Sequence, residues 1–141
     1  MHYVDGLSSE QIQDFLIALS FVMHSDGDAS KEEEEYIKVA STAYGLDSPN
    51  LADIMKKRSL AEVENIVAWA KNKPETARYM IREMISLAIS DGDILEAEID
   101  AIFHIGKVVG VSEERVNDII TWAVEGYEWQ MEGFRLVEED E

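Results

Sequence analysis

Residues 24–33 read His24-Ser25-Asp26-Gly27-Asp28-Ala29-Ser30-Lys31-Glu32-Glu33, and residues 90–98 echo them as Ser90-Asp91-Gly92-Asp93-Ile94-Leu95-Glu96-Ala97-Glu98. Asp-Gly favours a turn, because glycine tolerates positive φ and aspartate bonds its own backbone. The echo matters more than the turn. Displacing the chain by 65 residues lays Asp26, Gly27 and Asp28 on Asp91, Gly92 and Asp93. In the same register Glu33 falls on Glu98, Ile37 on Ile102 and Gly45 on Gly110. The apolar positions follow: Phe15 on Met80, Leu16 on Ile81, Leu19 on Met84 and Val22 on Leu87. Self-similarity of this kind marks a structural unit written twice.

The unit is helical. Ile12, Phe15, Leu16, Leu19, Val22 and Met23 recur at the i, i+3, i+4, i+7 spacing of a helix face. Ser8 and Ser9 offer caps for this first helix, and the apolar run Asp14–Met23 reads as a core helix. Ser30 with Glu33 predicts a capping box for a second helix ending near Gly45. Ser48-Pro49 predicts the cap and first residue of a short third helix through Lys57. Ser59 with Glu62 opens a fourth, and Pro74 with Glu75 a fifth running to about Ile89. A sixth spans about Leu95 to Val109, and a seventh starts at Ser112. The expected fold is therefore all-α, one bundle of seven helices covering residues 1–141. Its repeat units are about 10–58 and 75–123, joined by a connector helix at about 59–71 and arranged about an approximate two-fold axis. Residues 136–141 are expected to be a frayed acidic tail.

Composition narrows the function. A chain of 141 residues that is 46% hydrophobic builds a real core and is no disordered acidic tail. Thirty acidic against twelve basic residues give a net charge of −18, which repels phosphate backbones and draws cations and basic partners. Nucleic-acid binding is therefore not expected; a protein partner is. Cysteine is absent, which removes thiolate metal sites and fits a reducing cytoplasm. Neither a signal peptide nor a membrane-spanning apolar run is visible, so the expected location is the cytoplasm.

The acidic turns admit two chemistries. As caps, their carboxylates suit the positive end of a helix dipole. That accounts well for Glu33, but in the second copy Leu95 stands where Ser30 would cap, so Glu98 has no hydroxyl for a capping box, although Asp93 with Glu96 offers a different box there. As ligands, Asp26, Asp28, Glu33, Asp91, Asp93 and Glu98 form an oxygen-only donor set, which suits Ca²⁺, Mg²⁺ or Mn²⁺. The spacing is not that of an EF-hand, which places a third aspartate before its glycine and a glutamate six residues after it.

"SDGDASKEEEEYI" and "SDGDILEAEIDAI" resemble the D-G-x5-E signature of the TerB-like tellurite-resistance family, over roughly residues 8 to 125. The resemblance implies a seven-helix cytoplasmic bundle. It also implies a divalent-cation site built from Asp26, Glu33, Asp91 and Glu98, with Asp28 and Asp93 at an often acidic but variable position. Family members are linked to tellurite and other stress resistance, and Leu95 departs from the usual cap. The competing expectation is a metal-free acidic scaffold for protein interaction; a metal-dependent hydrolase is a third. Nothing in the sequence supplies a phosphate loop, clustered arginines or an evident nucleophile, so no enzyme is expected.

Other residues read structurally. His24 is expected at a helix end on the rim of the core. Glu32 to Glu35 form a solvated face, with Glu35 and Asp100 as possible outer contacts of a site. Lys56-Lys57-Arg58 is a basic cluster suited to the C-terminus of the third helix. Trp69 is expected in the core. Trp129 and Phe134 follow Trp122 and Tyr127 into a stretch of decaying periodicity, and are expected to fold back as a lid, the alternative being an exposed aromatic anchor for a partner or a dimer mate.

Overall fold

The computed structural model describes residues 3–25, 31–46, 48–89 and 95–141. Among these, seven α-helices and no strands occur. They are α1 (Ser9–Met23), α2 (Lys31–Ala43), α3 (Leu51–Ile54), α4 (Leu60–Val67), α5 (Pro74–Ile89), α6 (Glu96–Val109) and α7 (Glu113–Glu138). A 3₁₀ segment, Ala68–Asn72, extends α4.

Helix α1 lies at the centre, against α2, α3, α4, α5 and α6. Its position follows from its sequence: all six residues from Phe15 to Ser20 are buried. Helix α5 is the second centre, packed on α1, α6 and α7. Phe15 with Met80, Leu16 with Ile81, Leu19 with Met84 and Ile37 with Ile102, the pairs matched by the 65-residue displacement, are all fully buried. Leu87, the counterpart of Val22, is only partly buried.

Caps explain the boundaries. Ser8 accepts from the Gln11 N–H at 3.1 Å while Gln11 accepts from the Ser8 N–H at 3.0 Å. Ser59 and Glu62 form the same reciprocal box on α4. Helices α2 and α6 stop alike. Gly45 and Gly110 take φ of +90° and +85°, and the next N–H reaches back into the last turn. Leu46 donates to the Ser41 carbonyl at 2.9 Å, and Val111 to the Gly106 carbonyl at 2.8 Å.

Two expectations are corrected. The third helix is one turn long and begins after Asn50, not at Ser48-Pro49. The Asn50 side chain accepts from the Asp53 N–H at 3.1 Å and takes the cap position. The helix stops before Lys57 because Arg58 gathers the carbonyls of Asp53 (2.8 Å), Lys56 (3.3 Å) and Ile54 (3.4 Å). The second correction concerns the C-terminal segment. It does not fold back as a lid and is not frayed from residue 136: α7 runs unbroken to Glu138. Trp129 is 77% exposed, Phe134 56% and Val137 84%. Local pairing holds this turn of helix, since Arg135 bonds both Glu132 and Glu139. Amphipathic periodicity decays there because no core lies alongside, and its decay does not signal an end to the helix.

Candidate functional site

Glu33 and Glu98 each occupy the third position of a helix, α2 and α6 respectively. Both are half-buried, whereas Glu32 and Glu34 beside the first, and Glu96 beside the second, are exposed. Glu62 holds the same third position in α4 and serves as a comparison. It is exposed, its carboxylate accepts from the Ser59 N–H at 3.2 Å, and that cap bond holds its pKa below the ordinary value. At α6 the residue before the helix, Leu95, provides no side-chain cap. The two glutamates singled out by the sequence are thus less exposed than the acidic residues beside them at their helix starts.

Asp26, Asp28, Asp91 and Asp93, and the cap residue Ser30, lie outside the described residues. Among the described residues no three His, Asp or Glu side chains gather closely enough to hold a metal ion. The donor chemistry of Glu33 and Glu98 is oxygen only, which fits a hard divalent cation.

The surroundings of the two acidic segments differ. Ser25, directly before the first, lines a cleft of about 450 Å³ together with His24, Phe21, Met55, Lys56 and Lys57. His24 closes α1 and lies 3.3 Å from the Ser20 hydroxyl through Nδ1, the helix-end place expected of it. Arg58 also lines this cleft, but its side chain is 10% exposed and pairs with Asp53 at 3.4 Å. Ile89, directly before the second segment, lines a groove with Trp122, Tyr127 and Trp129 of α7. Glu35 pairs with Lys38 at 3.9 Å on the surface, and Asp100 is exposed.

One titrating group escaped the sequence reading. Asp14 opens the apolar run of α1, and burial pushes its pKa from 3.8 up to about 6. A hydrogen bond from the Trp69 indole opposes the rise, Glu10 adds to it, and Arg58 lowers it. Its signal was present: a carboxylate one residue before Phe15 on a helix buried almost all round.

An all-helical bundle with two acidic segments, each leading into a helix whose third residue is a half-buried glutamate, defines a class of acidic helical module. The family model described as "Tellurite resistance protein TerB" matches residues 14–120, and the chain belongs to that family. Neither the curated proteins nor the solved structures compared with the chain gave a match.

Proposed function

We propose that this protein is a non-catalytic, cation-responsive module that couples a bound divalent ion to a protein partner in tellurite or related stress resistance. Asp26, Glu33, Asp91 and Glu98 supply ligands for Ca²⁺, Mg²⁺ or Mn²⁺, with Asp28 and Asp93 contributing or orienting. The observation that carries the reading is the contrast between Glu98 and Glu62. Glu62 is exposed and serves its cap, whereas Glu98, like Glu33 at the matching place of the first copy, is half-buried at the same helix position. Oxygen donors repeated at matching places of two acidic segments suit a hard divalent cation.

Coupling has a physical route in the groove lined by Ile89, at the end of α5, and by Trp122 and Trp129 of α7. Beyond it, residues 125–138 of α7 present exposed Trp129, Phe134, Leu136 and Val137 over about 21 Å of helix. Four glutamates and one arginine frame these side chains. A partner with an apolar groove and a basic rim complements that helix.

Calorimetric titration with each metal, paired with thermal melting, tests the cation site. Saturable heat and a raised Tm are expected, both diminished in Glu33→Gln/Glu98→Gln, because a ligand bound only by the native state must stabilise it. No heat and an unchanged Tm at millimolar metal overturn the reading in favour of a metal-free acidic scaffold.

A further inference from the structure

We infer that the cleft between α5 and the first turn of α7 binds a small organic anion carrying a carboxylate or phosphate on a flat apolar body. The cleft measures about 460 Å³ and gathers Arg78, Arg82 and Arg115, three of the five arginines of a chain whose net charge is −18. Its volume falls within the roughly 300–1,000 Å³ of small-molecule sites. The inference is independent of the cation site.

The arginines of this chain are otherwise occupied. Arg58 pairs with Asp53, and Arg135 with Glu132 and Glu139. Arg82 pairs with Glu83 at 3.2 Å. Arg78 and Arg115 make no ion pair among the described residues, although the chain carries thirty carboxylates. Two unpaired guanidinium groups facing one cleft leave their planar donor forks for an incoming oxyanion, which such forks bind bidentately.

The wall beside them is aromatic and held in place. The Tyr3 and Tyr79 rings stack with centroids 5.3 Å apart. The Tyr79 hydroxyl meets that of Tyr44 at 2.9 Å, and the Tyr3 carbonyl accepts from the Thr76 hydroxyl at 2.6 Å. The Arg82 guanidinium lies 5.1 Å from the Tyr79 ring centroid and 5.9 Å from that of Trp122. Stacking of this kind fixes a guanidinium plane while leaving its edge free to donate. Glu75 also lines the cleft and opposes an anion. With Glu83 neutralising Arg82, the excess is one positive charge, which suits a ligand with one anionic group and an apolar body to lie on the tyrosines.

Titration of the full chain with phenyl phosphate, benzoate, inorganic phosphate and phenol, followed by amide and arginine side-chain NMR, tests the site. Phenyl phosphate or benzoate is expected to bind saturably in the millimolar range, shifting signals of Tyr79, Arg82 and Arg115. Which of the two binds more tightly separates a phosphate from a carboxylate ligand. Inorganic phosphate, which lacks the body, and phenol, which lacks the charge, are expected to bind more weakly. Arg78→Gln/Arg115→Gln should weaken the better ligand about tenfold with Tm unchanged, a loss of about 1.4 kcal/mol. Glu75→Gln should strengthen it. Absence of a saturable shift with either organic anion, phenol binding as well as both, or affinity unaltered in both variants overturns the inference.

Discussion

The Trp69 indole N–H donates to the Asp14 carboxylate at 3.0 Å, joining residues 55 apart in sequence. It ties the 3₁₀ segment after α4 to the centre of the bundle. It also holds a carboxyl group that burial has pushed up to about 6, so this contact carries a pH dependence. The carboxyl titrates higher in the folded chain (about 6) than in the unfolded one (3.8). The native state therefore holds more protons between those values, and the stability contributed is greatest below 3.8 and lost as pH rises through about 6. Solvent screening of this half-exposed group keeps the effect small. Asp14→Asn keeps an acceptor for the indole and removes the titration. Urea midpoints across this window should show the native chain falling relative to the variant as pH rises; parallel curves would contradict the assignment.

The exposed half of α7 should be dispensable for folding. Trp129→Ser and Phe134→Ser remove large side chains that the core does not touch, so each should change stability by no more than about 0.5 kcal/mol. Phe15→Ala, at a fully buried site, should cost about 3–5 kcal/mol. Denaturant unfolding of the three variants checks the contrast. A serine variant that unfolds like Phe15→Ala would place these side chains inside the structure.

Gly110 ends α6 with φ of +85°, and a Cβ there would meet only the Lys71 side chain, at 3.7 Å. Space is available, so any cost of Gly110→Ala is conformational. It should be about 1–2 kcal/mol, the penalty for a side chain in left-handed backbone. Gly45→Ala, at φ of +90° with open space around it, should cost a similar amount. Chemical denaturation reads both, and neutral substitutions would mean that these helices end differently in solution.

Leu95 precedes α6 in extended backbone without a side-chain cap bond. Leu95→Ser restores an acceptor for an N-terminal N–H and should stabilise the chain by about 1 kcal/mol. A rise in melting temperature is the expected outcome; a fall would show that the leucine, 39% exposed, contributes more by packing than a cap would.

Local rules carried most of the helix assignment. Ser59 with Glu62, Pro74 at the first position of α5, and Gly110 after α6 act within a few residues of themselves, so their spacing alone marks the boundaries. The third helix was misplaced because two local caps competed and Asn50, one residue beyond Pro49, took the position. The C-terminal segment was misread because amphipathic period reports burial. Helix persistence there depends on Arg135 and its glutamates instead. At the candidate cation site, the sequence marked Glu33 and Glu98 through their spacing from Asp26 and Asp91, but not that both are half-buried.

By itself, the sequence determined an all-helical chain, its core stripes and the positions of its acidic motifs, because these depend on periodicity and on groups a few residues apart. Tertiary structure alone decided which distant side chains meet. Arg115 comes to Arg78 and Arg82 only because α7 packs on α5. Asp14 titrates high only because the bundle closes over α1 and brings Trp69 to it. Burial and long-range approach set the local dielectric and the partners of each charge, and neither is written in the spacing of residues along one helix.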